Sequence, residues 1–236
     1  DIALTTNGTL LARYALELKQ AGLTRVNISL DTLRADRFEH ITGSGKLQDV
    51  LAGIDLANQV GLTPVKINMV VMRDENDDEI LDFARKTVDE EWNVRFIEYM
   101  PFGGSEAESA RTLPTHEIRD HINEAVGPLE RCGTKTGNGP ARYFRLPGAR
   151  GTLGFISPMT EHFCATCNRL RVTADGQLRP CLLDDDEIDI KKALRDGSSD
   201  EQLKELIQRA VGIKRERHHL NEGIDAPERP MRQIGG

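Results

Sequence analysis

The first hundred residues repeat one unit, a short apolar strand followed by a helix with apolar positions three and four apart. Four strand-like runs occur at 2–6, 25–30, 64–71 and 94–99, with helical patterns at 10–21, 46–60 and 77–89 between them. Strands that alternate with helices pair in parallel, because each helix carries the chain back to the start of the next strand. Side chains along a strand alternate between its two faces. Ala3 and Thr5, Asn27 and Ser29, and Lys66 and Asn68 therefore share one side, while Leu4, Ile28, Ile67 and Met69 point the other way. The fourth strand fits less simply, with Arg95 and Glu98 on opposite faces. An apolar face under helices and a partly polar face turned inward describe an α/β barrel, whose ligands sit at the carboxyl ends of its strands. A doubly wound open sheet is the competing architecture.

Beyond residue 100 the period changes. Residues 100–113, with Gly103 and Gly104, read as a loop; a helix at 115–126 follows, then short strands at 142–146, 152–156, 170–173 and 178–182. Asp175-Gly176 is a hairpin turn signal between the last two. Helical patterns at 190–195 and 201–211 precede a polar tail ending Gly235-Gly236. The expected division is a strand-helix domain over 1–100 and an α+β domain over 101–236. The first residues look like a buried strand and carry no secretory signal, so the chain is expected to begin inside a domain.

Composition removes several classes of function. With 38% hydrophobic residues and a mean hydropathy of -0.45, no apolar run approaches the roughly eighteen residues of a membrane helix. A net charge of -7 argues against a general nucleic-acid binder, which needs clustered cations. Three of the four cysteines fall between residues 164 and 181, which suits a metal site in a reducing, cytoplasmic compartment better than a disulfide framework.

Cys164 and Cys167 share one tight loop, and folding the Asp175-Gly176 hairpin would return Cys181 to them. Three thiolates suit an iron-sulfur cluster, zinc or copper(I). A structural zinc normally takes four ligands, and the candidates for a fourth, His162, Cys132 or a residue far along the chain, lack the usual paired spacing. A cubane held by three cysteines leaves one iron open to a small molecule, so the ligand count favours the cluster. Cys132 is read as an ordinary thiol. Arg169 and Arg171 alternate along a strand and share a face; they are either solvated or a phosphate- or purine-binding pair. Asp184, Asp185, Asp186 and Glu187 are read as a solvated helix entrance.

Cys164-Ala-Thr-Cys167-Asn-Arg-Leu-Arg171, Ala174-Asp-Gly and Leu178-Arg-Pro-Cys181-Leu resemble the auxiliary-cluster segment of the GTP 3',8-cyclase family, radical S-adenosylmethionine (SAM) enzymes also called molybdenum cofactor biosynthesis protein A. Leu4-Thr-Thr-Asn-Gly8, Asn27-Ile-Ser-Leu-Asp31, Val65-Lys-Ile-Asn68, Arg95-Phe-Ile-Glu-Tyr-Met100 and the terminal Ile234-Gly-Gly236 fall in that family's order. The resemblance spans essentially the whole chain. It implies an incomplete barrel of the radical SAM type, of which this chain supplies four strand-helix units, followed by an α+β domain with an auxiliary 4Fe-4S cluster on Cys164, Cys167 and Cys181. The implied SAM contacts are Thr5, Ser29 and Met100, and the implied GTP contacts are Lys66, Arg95, Arg169 and Arg171.

The implied reaction is the first step of molybdenum cofactor biosynthesis, in which a radical derived from SAM takes hydrogen from ribose C3' of GTP and the sugar closes onto guanine C8. Arg169 and Arg171, with Gly235 and Gly236 inserted into the active site, are the implied catalytic participants. The three-cysteine motif of the SAM-cleaving cluster is absent from these residues, so SAM and a second 4Fe-4S cluster are expected only in a longer protein and this chain alone is expected to be inactive. The resemblance also implies a functional link to cyclic pyranopterin monophosphate synthase, and it allows a homodimer. Two alternatives stand beside it: a non-catalytic zinc- or nucleotide-binding module, and another radical SAM enzyme with an auxiliary cluster.

Overall fold

A computed structural model of the chain describes residues 1–102, 105–133, 139–218, 229 and 233–234. The chain divides into two compact units, one of Asp1–Tyr99 with Ala110–Thr160 and the other of Met100–Ser109 with Glu161–Gly236.

The first unit opens with β1 (Ala3–Thr6), α1 (Leu11–Gln20), β2 (Arg25–Ser29), α2 (Ala35–Thr42), α3 (Leu47–Gln59) and β3 (Lys66–Val71). A 3-10 turn at Asp77–Glu79 leads into α4 (Ile80–Asp89), and β4 (Asn93–Glu98) completes the repeat. After α5 (Glu106–Ser109), which belongs to the second unit, come α6 (Thr115–Ala125), β5 (Glu130–Arg131), β6 (Arg142–Arg145) and β7 (Thr152–Ile156). The seven strands form one sheet in the order β1-β2-β3-β4-β7-β6-β5. Pairing is parallel from β1 through β7 and antiparallel for β7-β6 and β6-β5. The first four strands lie side by side in chain order, without the reversal that creates the switch point of a doubly wound sheet.

Val26, Ile28, Ile67, Met69, Val94, Phe96, Leu153 and Phe155 are all buried on one face of that sheet. They join one apolar core with Val50, Ile54 and Ala57 of α3, Ile80, Phe83 and Ala84 of α4, and Ile118 and Ile122 of α6. The spacing of three and four places each set on one stripe of its helix. The division expected at residue 100 differs from the compact units, because β7 extends the parallel sheet beside β4 and carries residues 110–160 with it.

Glu98 lies on the core side of β4, fully buried. Its carboxylate accepts hydrogen bonds from the backbone N–H groups of Thr115 at 3.0 Å, Met159 at 2.9 Å and Thr160 at 3.0 Å, and from the Thr160 hydroxyl. Thr115 opens α6, where a negative charge also meets the positive end of the helix dipole. Arg95 and Glu98 therefore have separate tasks on the two faces of one strand.

The second unit contains a 3-10 turn at Cys164–Thr166, β8 (Arg171–Val172), β9 (Gln177–Arg179), β10 (Ile188–Asp189), α7 (Ile190–Arg195) and α8 (Asp200–Gly212). Its sheet is antiparallel in the order β10-β9-β8. The hairpin at Asp175-Gly176 forms as its residues require: Gly176 takes φ +87°, in the left-handed region that glycine adopts without strain, and donates to Thr173 O at 2.9 Å. Ser199 and Gln202 form a capping box that starts α8.

The apolar core here is small, with Leu178, Ile188 and Ala210 buried together. Polar ties supplement it. Arg179, 1% exposed, pairs with Glu187, with the Asp184 carbonyl and with Asp185 at 3.4 Å. Arg215 holds Asp184 at 2.7 Å. The acidic run read as a solvated helix entrance is in this respect ion-paired, because a buried guanidinium needs counter-charge.

Candidate functional site

The polar face of the first sheet carries a hydrogen-bonded row that crosses the strands. Arg95 donates from Nε to Asn68 Oδ1 at 2.7 Å and from Nη2 to Asn27 Oδ1 at 2.9 Å, and Asn27 donates to Thr5 Oγ1 at 3.2 Å. The register makes this possible, with Thr5 opposite Asn27 and Asn68 opposite Arg95. On the other side of Arg95 lies Gly154, and beyond it Tyr143. Burial lowers the Arg95 pKa, and Tyr143 opposes that shift.

Lys66 occupies the neighbouring row, opposite Asn27 and Asn93, and is 2% exposed. Burial pushes its ammonium down to about 8, and the positive charges of Arg95 and Arg25 add to the effect. Two cations on one desolvated face raise each other's energy, and an anionic ligand would lower it. Ser29 is exposed at the end of β2. Two residues further on, burial raises the Asp31 carboxyl to about 6, partly offset by the Val70 N–H that it accepts at 2.8 Å. Met100 is half-buried, belongs to the second unit, and accepts from Phe102 N at 2.9 Å through its carbonyl.

In the second unit Cys164 opens the 3-10 turn, Cys167 closes it and Cys181 lies just beyond β9, so the β8-β9 hairpin returns the third thiol toward the first two. All three are half-buried, and Cys164 and Cys181 are close enough for their charges to interact. Three thiolates brought by one turn and one hairpin are a donor set that fits a cubane, in which each would bind its own iron.

Burial raises the Cys167 thiol, but hydrogen bonds from the Arg169 backbone and guanidinium, together with Lys214, outweigh it and hold the thiol below its ordinary value. Lys214 Nζ lies 3.4 Å from Cys167 Sγ and 2.7 Å from the Arg169 carbonyl. Burial raises the Cys181 thiol, against the Leu183 N–H that it accepts at 3.4 Å. Donors aimed at sulfur are the contacts that stabilise thiolates in cluster sites. Arg169 stacks over Phe163 with its guanidinium 5.0 Å from the ring centre. Arg171 is half-buried; burial and the Arg169 charge lower its pKa, while Cys181 and Cys167 oppose this.

The structure thus joins Thr5 to Arg95 through Asn27 on one unit, and gathers Arg169, Arg171 and the three cysteines on the other. Gly235 and Gly236 lie outside the described residues. Sequence reasoning missed Lys214 and Tyr143. A lysine just past the end of α8 carries no local signal of the sulfur it meets, and Tyr143 depends on a non-local strand pairing.

Residues 92–220 match the family model described as Molybdenum Cofactor Synthesis C, and residues 1–87 match that of the Radical SAM superfamily. The chain is similar along its entire length to the GTP 3',8-cyclases of Moorella thermoacetica, at 52% identity, and Pelotomaculum thermopropionicum, at 50%. It covers 72% and 73% of those proteins respectively. The enzyme of the same name from Thermodesulfovibrio yellowstonii is 49% identical over the whole chain.

Proposed function

The chain belongs to the GTP 3',8-cyclase family of radical SAM enzymes, and we propose that its 236 residues form the substrate-holding part of such an enzyme, which converts GTP to 3',8-cyclo-7,8-dihydroguanosine 5'-triphosphate. The observation that carries this reading is the return of Cys181 by the β8-β9 hairpin toward the Cys164–Cys167 turn, beside two arginines and a lysine. Cys164, Cys167 and Cys181 hold an auxiliary 4Fe-4S cluster. When bound, it supplies an iron without a protein ligand that a nitrogen or oxygen of the substrate can occupy.

The remaining steps are the work of side chains. Lys66 and Arg95 bind the triphosphate on the polar face of a partial barrel, and the Asn68 and Asn27 bonds fix the plane of Arg95 before substrate arrives. Bringing phosphate to Lys66 favours its protonated form, so binding takes up a proton at pH values around and above 8. Thr5, Ser29 and Met100 contact SAM, and Arg169 and Arg171 place the nucleotide, with Gly235 and Gly236 as catalytic participants. Pre-orientation of this kind contributes by keeping ribose C3' and guanine C8 within reach of each other.

These residues contain four cysteines, of which one trio serves the auxiliary centre, so the reading assigns SAM cleavage to a second cluster held elsewhere in the full-length protein, and no turnover to these residues alone. The compartment is reducing and cytoplasmic. The product feeds cyclic pyranopterin monophosphate synthase, and a homodimer is the assembly to test.

Anaerobic reconstitution with iron and sulfide decides the matter. About four irons and four sulfides per chain, with GTP altering the electron paramagnetic resonance spectrum of the reduced centre, are expected. A zinc-free chain that takes up no sulfide under these conditions would overturn the reading.

A further inference from the structure

The second unit brings a different set of soft-metal donors together beside the cysteine trio. His162, Cys164 and His218 each offer one ligand atom, and these atoms all lie within 4.8 Å of one another. His162 Nδ1 and His218 Nε2 share a hydrogen bond at 3.2 Å, which a metal ion between them would replace, and the rings meet edge to face with centroids 4.7 Å apart. A tetrahedral ion with bonds of about 2.0–2.1 Å to nitrogen and 2.3 Å to sulfur spaces its ligand atoms roughly 3.3–3.8 Å apart. The two imidazole nitrogens stand near that spacing, and the Cys164 sulfur lies within 4.8 Å of both. His162 is exposed and gives an ion a way in, whereas His218 is buried and Cys164 half-buried.

We propose that His162, Cys164 and His218 form a site for one divalent ion of the zinc class, with the fourth position left to water or a small ligand. Two imidazoles and one thiolate are the mixed donor set that such ions favour over hard cations. Binding releases the proton of the Cys164 thiol, while both histidines bind as neutral rings. Cys164 serves either this site or a centre shared with Cys167 and Cys181, so one zinc ion blocks cluster assembly by taking a single thiolate. That exclusion rests on the cluster reading above; the three-residue site does not.

The test uses the full 236-residue chain, reduced and free of iron, titrated anaerobically with cobalt(II) and then with zinc. One cobalt per chain is expected, with tetrahedral visible bands, the charge-transfer intensity of one thiolate, and displacement by zinc. His162→Ala and His218→Ala should each weaken cobalt binding about a hundredfold, the loss of one ligand of a small set. Cys167→Ala and Cys181→Ala should leave it unchanged. His162→Gln, with the far-ultraviolet circular dichroism retained, separates ligand loss from unfolding.

Cobalt binding that survives the histidine changes and disappears with Cys167→Ala or Cys181→Ala would overturn the proposal, as would failure of the intact chain to bind cobalt. A second arm follows iron and sulfide uptake. Zinc should block it in the intact chain and not in His162→Ala. If the intact chain never assembles a cluster while the cobalt results hold, the cluster reading fails and the three-residue site stands.

Discussion

Gly154 lies across the sheet from Arg95, and a Cβ at position 154 would stand 3.0 Å from Arg95 Cγ and 3.1 Å from Tyr143 Cε1. The missing side chain leaves the lane in which the guanidinium stem rests. Gly154→Val should drive Arg95 away from Asn27 and Asn68 and weaken GTP binding about tenfold, the scale of a lost charge-assisted hydrogen bond. Calorimetric titration with GTP measures this, and thermal unfolding should show about 1–3 kcal/mol of overpacking. Unchanged affinity would remove Arg95 from the binding face.

Lys66 sets a pH dependence of definite sign. Its folded pKa of about 8 is below the ordinary value, so between pH 8 and about 10.5 the unfolded chain holds a proton that the folded chain has released. Stability therefore rises with pH across that window. Lys66→Met should abolish the rise and stabilise the protein at pH 7 by on the order of 1–2 kcal/mol. GTP affinity of the unaltered chain should fall as pH passes 8, because the ammonium is lost. Denaturant unfolding and titrations at pH 7 and 9 check both signs.

Asp31 acts in the acid range. Burial raises its folded pKa to about 6, so between pH 4 and 6 the folded chain binds more protons than the unfolded one and stability falls as pH rises. Asp31→Asn can keep the acceptor for the Val70 N–H and should stabilise the fold at pH 7 by on the order of 2 kcal/mol, with little change at pH 4. Equal gains at the two pH values would show that the carboxyl does not titrate in this range.

Arg179 is the strut of the second unit. Arg179→Ala removes the buried guanidinium and leaves Glu187 to Arg229 alone, and should cost about 1.5–3 kcal/mol, the scale of lost hydrogen bonds to charged groups. Trp92, the single tryptophan, belongs to the first unit, so its fluorescence should change little. Faster amide exchange in β9 and β10 is the expected readout.

The strand-helix repeat was legible because its two periods, about 3.6 and 2, are written in neighbouring residues. The shared face of Thr5, Asn27, Ser29, Lys66 and Asn68 follows from the same alternation. The short helix α2 was not legible: Phe38 is its only buried residue, and one anchor makes no stripe. The pairing of β7 with β4 joins residues about sixty positions apart, and a strand's own pattern does not specify its neighbour. At the second unit the hairpin at Asp175-Gly176 was legible because glycine is the residue that takes its left-handed turn position without strain. The Arg179 network was hidden because an acidic run looks solvated until its partner is known to be buried.

The Glu98 carboxylate binds the amides of residues 115, 159 and 160, contributed by two segments far apart in the chain. Thr115 meets one oxygen of that carboxylate and residues 159 and 160 the other, so parting β4 from its neighbours would strip all three amides of their acceptor at once, and their hydrogen-exchange protection is expected to fall together.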